Sequence, residues 1–121
     1  MTLNIGGISY DLYFGLDFID YLDKIYYVEE RGLRVGQGLA MAVVNAETQN
    51  PVTLLHLIKA ATETEKSKPS TKSIKEFLET EANYEELYSD FLSELERAHT
   101  TEGMMKKLAG LSNSEETKTE R

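Results

Sequence analysis

The chain has 121 residues, 40% of them hydrophobic and 28% charged, with a net charge of −8 and no cysteine. That length suits one domain able to bury about 65% of the surface its unfolded form exposes, and the missing cysteines exclude disulfides and thiolate metal sites. An acidic chain without a basic face lacks the counterion release from which nucleic-acid binding starts, so no nucleic acid partner is expected.

The opening MTLNIGG has no basic region followed by an apolar core, so no secretory leader is expected. Leu3 and Ile5 alternate with polar residues up to Gly6-Gly7, and Ile8, Tyr10, Leu12 and Phe14 alternate with Ser9, Asp11 and Tyr13 beyond it. Period two on both sides of a Gly-Gly pair predicts a β-hairpin with a type I′ turn. A hairpin alone is unstable in water, so its apolar face needs the next element as a cover.

That element is a helix starting after Gly15. Phe18, Ile19, Leu22, Ile25 and Tyr26 form its apolar stripe, Asp17, Asp20 and Lys24 share the opposite face, and Gly32 is the expected C′ stop. Gly36-Gln37-Gly38 then opens a short buried helix over residues 39–44, an apolar run far below the ~20 residues of a membrane span. No membrane partner is expected. Asn50-Pro51 is an N-cap followed by proline at the first helical position, and Leu54, Leu55, Ile58 and Ala61 follow on the inner face. Residues 62–73 turn polar around Pro69 and read as a loop. Ser70 caps the next helix, which carries Ile74, Phe77 and Leu78. Residues 83–98 are a further helix in which Tyr84, Tyr88, Phe91, Leu95 and Ala98 alternate at spacings of four and three, a seam too short for a coiled coil. From residue 100 onward the pattern dissolves into a polar tail. The fold expected is mainly α with a small N-terminal β-hairpin (α+β), a compact bundle of about five helices over residues 1–99, and a flexible, disordered tail over residues 100–121.

Charge is uneven along the chain. Residues 1–30 carry six acids and one lysine, residues 81–96 carry six acids and no base, and five lysines between Lys59 and Lys75 face only Glu63 and Glu65. These runs read either as solvated faces and a linker or as complementarity between copies or with a partner.

The residues that could carry chemistry are few. His56 and His99 stand in separate helices with no HxxxH or HExxH spacing, so no metal and no cofactor is expected. Gly36-x-Gly38 lacks the glycine and lysine pattern of a phosphate loop, and no Gly-x-Ser-x-Gly occurs. The chain is therefore not expected to be an enzyme. Aromatics say more. Tyr13 lies on the strand face opposite Tyr10 and Phe14, and Tyr21 and Tyr27 flank the helical stripe. They are either core spilling to the surface or candidates for a protein interface, where amphipathic rings supply area at low entropy cost.

The segments LNIGGISYDLYFGLDFIDYLDKIYYVE, GLRVGQGL, NPVTLLHLIKAA and KSIKEFLE, in this order with a Lys/Pro loop before the last, resemble the tail assembly chaperones of long-tailed phages and prophages of Gram-positive bacteria. The likeness covers about residues 3–95 and is one of layout and apolar pattern, without a catalytic fingerprint. It implies a non-enzymatic protein of the host bacterial cytoplasm that binds the tape measure protein, self-associates and assists tail tube assembly. It also implies a longer, frameshifted product that recruits the tail tube protein; Lys106-Lys107 could be encoded by a slippery heptamer. Within this reading the seam Tyr84, Tyr88, Phe91 and Leu95, or its groove with the first helix, is the candidate contact for client or neighbouring copies, beside Tyr13, Tyr21 and Tyr27. A small phage-encoded regulator and a minor structural tail component are the alternatives.

Overall fold

The computed structural model describes residues 1–119. Gly6 and Gly7 adopt φ of 61° and 82°, the two left-handed conformations that a type I′ turn requires. They join β1 (Thr2–Ile5) to β2 (Ile8–Asp11) in an antiparallel pair with Leu3 opposite Tyr10 and Ile5 opposite Ile8. Ile5, Tyr10, Leu12 and Phe14 are buried, whereas Ile8, beside the turn, stays 55% exposed. The apolar face of the second strand thus packs only beyond its first residue.

The next helix, α1 (Leu16–Ile25), buries Phe18 and Leu22, with the rings of Phe14 and Phe18 edge to face at 5.0 Å. Here the structure corrects the sequence reading. The helix does not continue to Gly32; Tyr26 leaves it in an extended conformation, and a second antiparallel hairpin follows, β3 (Tyr27–Glu30) with β4 (Leu33–Gly36). Its turn is Arg31-Gly32, at φ 52° and 77°. Gly32 supplies the left-handed conformation of a hairpin turn rather than of a helix stop, and the aromatic and β-branched run Tyr26-Tyr27-Val28 suits a strand. Two bonds close the base of this hairpin: the Gln37 N–H donates to the Tyr26 carbonyl at 2.7 Å, and the Gly38 N–H donates to Asp23 Oδ1 at 2.9 Å. A Cβ at Gly36 would run into the Asp23 side chain, so glycine lets the strand lie against α1.

Four further helices come next: α2 (Gly38–Glu47), α3 (Pro51–Thr62), α4 (Thr71–Thr80) and α5 (Tyr84–Arg97). Three are capped as local chemistry dictates. Asn50 Oδ1 accepts from the Val52 N–H at 3.0 Å, Ser70 Oγ from the Ser73 N–H at 3.1 Å, and Asn83 Oδ1 from the Glu86 N–H at 3.0 Å. Helix α3 is the hub: it packs against α1, α2, α4 and α5, and its Leu54, Leu57 and Ile58 are fully buried.

The second difference concerns where the tail begins. A flexible tail was expected over residues 100–121, whereas α6 starts at Glu102 and spans Glu102–Thr119; residues 120–121 lie outside the described residues. The corner before α6 is stitched to the bundle. Thr100 Oγ1 donates to the Phe14 carbonyl at 2.6 Å, and the buried Thr101 Oγ1 donates to the Leu95 carbonyl at 2.6 Å. Met105 is then buried and Leu108 packs on the core, which pins the first two turns. Among the described residues there are thus six helices and two small hairpins, and no helix is long and apolar enough to cross a membrane.

Candidate protein-interaction site

The polar groups that meet inside the bundle hold elements together. Tyr26, at the end of α1, places its hydroxyl 2.6 Å from His56 Nδ1 and 3.3 Å from Thr53 Oγ1, and Asn45 Nδ2 donates to the same threonine oxygen at 2.8 Å. Burial, with Lys59 adding to it, holds the His56 imidazole below its ordinary pKa, so at neutral pH it is an uncharged partner for the Tyr26 hydroxyl. These groups tie the end of α1, α2 and α3 together in one patch.

The aromatic residues picked out in the sequence fall into three settings. Tyr88 is 2% exposed, Phe91 and Leu95 are fully buried, and the Tyr88 hydroxyl donates to the Asn50 carbonyl at 2.5 Å. Phe91 meets Phe14 edge-on at 5.9 Å. This part of the seam is covered by the chain itself. Tyr84 and Tyr21 are half-buried. The Tyr84 hydroxyl donates to the Leu78 carbonyl at 2.5 Å and leaves its ring edge at the surface. Burial, and then the nearby Glu63 carboxylate, raise the Tyr21 phenol above its ordinary pKa. Tyr13 and Tyr27 are exposed. The Tyr13 ring shields Gly15 while its N–H donates to the Ala61 carbonyl at 2.9 Å; Tyr27 sits in β3 under the Arg34 guanidinium, 4.2 Å from the ring centre.

Among the described residues, three surface features with mainly apolar side chains are open to a partner. The first is a cleft of about 230 Å³ where α3, α4 and α5 meet, walled by Pro51, Val52, Leu55, Leu78 and Tyr84, with Lys75 and Glu79 at its edge. Val52 is 56% exposed there. The second is the β3–β4 hairpin, an arm whose eight residues are all exposed. Its register places Val28 opposite Val35 and Glu30 opposite Leu33 on one face, and Glu29 opposite Arg34 on the other. Gly36 belongs to the Arg34 face, the one met by Asp23 of α1, so Val28, Leu33 and Val35 point away from that helix. The third is a groove of about 410 Å³ between the first turn of α2 and α6, with Leu39, Ala40, Met104 and Leu108 in its wall and Lys107 its one ionisable lining residue.

Of the residues named from the sequence, Tyr84 borders the cleft and Tyr27 lies on the polar face of the arm; the apolar face of the arm and the groove were not named. The available signal for the arm was Leu33-Arg34-Val35, a period-two step directly after Arg31-Gly32. For the groove it was the apolar spacing of Met104, Met105 and Leu108. A family model described as phage tail assembly chaperone protein, TAC, matches residues 2–109 of the chain. No curated protein and no solved structure matches it.

Proposed function

This chain belongs to the phage tail assembly chaperone family, and from that premise we propose that it binds the tape measure protein in the host cytoplasm and keeps it soluble while tail tube subunits assemble, acting by binding rather than catalysis. The observation that carries the reading is the α3–α4–α5 cleft with Val52 at its mouth. Its volume is below the roughly 300–1,000 Å³ typical of small-molecule sites, so it suits one or two apolar side chains of a protein client. An amphipathic helix offers such side chains at regular intervals, and Lys75 and Glu79 at the cleft edge suit its polar flanks. Each engagement is weak; many copies on one long client would hold it by avidity. In the same reading, a longer frameshifted product brings the tail tube protein. The coding DNA around Lys106-Lys107 tests that part, which falls if no slippery heptamer lies there or nearby.

The experiment is co-expression of the chain with the tape measure protein encoded beside it. The wild-type chain should move the client into the soluble fraction and co-purify with it. Val52→Asp should weaken capture at little cost to the fold, because a carboxylate in the first turn of α3 is favoured by the helix dipole. A tape measure protein equally soluble without the chain would remove the function. Undiminished capture by Val52→Asp would remove the cleft.

A further inference from the structure

The first hairpin has one open edge. In an antiparallel pair, residues that exchange main-chain bonds with the partner strand alternate with residues that turn their N–H and C=O the other way. The two-residue turn makes Ile5–Ile8 a bonded pair and Leu3–Tyr10 the next, and the Leu12 N–H continues the series by donating to the Met1 carbonyl at 2.9 Å. Ser9 and Asp11, opposite Asn4 and Thr2, therefore direct their N–H and C=O groups away from β1. Tyr13 is next in that outward series, and its N–H is taken by the Ala61 carbonyl at 2.9 Å. Among the described residues, no third strand pairs with β2, and no main-chain group bonds Ser9 or Asp11 on this side.

The open stretch borders a gap of about 480 Å³, walled by Ser9, Tyr10 and Asp11 on one side and by residues 64–67 of the loop between α3 and α4 on the other. That loop is held from within. The Glu65 N–H donates to the Thr62 carbonyl at 3.1 Å, Lys68 Nζ donates to the Glu63 carbonyl at 3.2 Å, and Pro69 is buried. A strand added to a sheet lies ~4.8 Å from its neighbour and advances ~3.3 Å per residue, so the stretch from Ser9 to Asp11 gives room for about three residues of extended chain. The groups it presents are main-chain donors and acceptors at a two-residue repeat. An extended polypeptide matches that repeat; a helix, whose main-chain groups are bonded internally, does not.

Charge narrows the choice of partner. Asp11 shares the outer face with Ser9, and Thr2 Oγ1 donates to its Oδ1 at 3.3 Å, which leaves Oδ2 for an incoming cation. Glu65 stands in the opposite wall, and Lys66 is the one base there. With a net charge of −8, the chain repels acidic segments, its own copies included, and favours basic ones. We propose that β2 is a docking edge for an extended basic segment of a partner polypeptide, which adds as a third strand along Ser9–Asp11 and sets a lysine or arginine beside Asp11. The contact needs neither the α3–α4–α5 cleft nor the tape measure protein, so its failure leaves the proposed function standing.

An NMR titration of the full-length chain tests it, with a short capped peptide of alternating lysine and threonine as the probe and the same peptide carrying glutamate for lysine beside it. The lysine peptide should move the Ser9 and Asp11 amide protons downfield and slow their exchange, as a gained hydrogen bond does; the glutamate peptide should not. Ser9→Ala keeps the main chain and should bind as wild type. Ser9→Pro removes one outward N–H and no bond of the hairpin ladder, and should weaken binding about tenfold. Asp11→Lys should exchange the preference, so that the glutamate peptide binds better. No change at the two amides, equal binding of the two peptides, or Ser9→Pro binding as tightly as wild type overturns the proposal. The Leu3 and Tyr10 amides report whether the hairpin stays paired in Ser9→Pro. If it does not, Asp11→Lys decides, and an unchanged preference there overturns the proposal.

Discussion

Replacing Tyr88 by phenylalanine removes one oxygen from the interior and should change both the stability of the fold and its pH dependence. The Tyr88 hydroxyl donates to the carbonyl of Asn50, the cap of α3, at 2.5 Å, and the residue is 2% exposed. Deleting the donor leaves that carbonyl without this partner, a cost of about 1–2 kcal/mol near neutral pH. Burial is also the main cause that pushes the Tyr88 phenol up to about 12, with Thr53 opposing it. The unfolded chain releases this proton near the ordinary value of about 10. Because the folded pKa is the higher one, the stabilisation is fully present below about pH 10 and is lost as pH rises from there toward 12. For a separation of about two on the pH scale the loss is roughly 1.4 kcal/mol at pH 11 and roughly 2.3 kcal/mol at pH 12. The wild-type advantage over Tyr88→Phe should therefore disappear near about pH 11 and reverse beyond it. Urea unfolding of both proteins, followed by circular dichroism between about pH 8 and pH 11.5, measures that difference with the other titrations cancelled. A difference that stays constant across this range would refute the assignment of Tyr88 as a buried, neutral donor.

Two further perturbations follow from the interior. Phe91→Ala should cost about 3–5 kcal/mol in urea unfolding, because the ring is fully buried against Phe14; a loss below about 1 kcal/mol would mean that the seam is not core. His56 has its folded pKa lowered by burial and Lys59, so its contribution is present above the ordinary value of about 6.5 and is lost as pH falls from there through the lower folded value. The stability difference between wild type and His56→Gln should shrink on acidification, and a pH-independent difference would exclude the titration.

Local chemistry explains why much of the fold could be read from the sequence. Gly6-Gly7, Asn50-Pro51 and Ser70 each meet a requirement set by their nearest neighbours, and each does in the structure what its residue type predicts. Gly32 is different. A left-handed glycine after a charged residue serves equally as a helix C′ and as the second residue of a type I′ turn, because both need positive φ. What decides between them is the pairing of Gln37 with Tyr26, eleven residues apart in sequence and outside any local window. The same limit governs the candidate site. The spacing of Tyr84, Tyr88, Phe91 and Leu95 says that one helical face is apolar, but not what covers it. Tertiary packing gives most of that face to Phe14, α2 and α3 and leaves only Tyr84 at a cleft.

The second hairpin has no folding role that accounts for its composition. A two-stranded ribbon gains little stability by itself, and its anchorage lies at the base, where Gly36 lies against Asp23, the Gly38 N–H bonds that carboxylate and the Gln37 N–H bonds Tyr26. Beyond that point Arg34 over Tyr27 stiffens the polar face. Val28, Leu33 and Val35 on the opposite face reach none of the buried core. Polar residues there would serve the monomer equally well and would lower the risk of non-specific association. Apolar side chains held on a braced arm therefore form an exposed patch that the packing of the chain itself does not account for. The groove beside α6 and the α3–α4–α5 cleft are lined by different residues, so filling one leaves the other open.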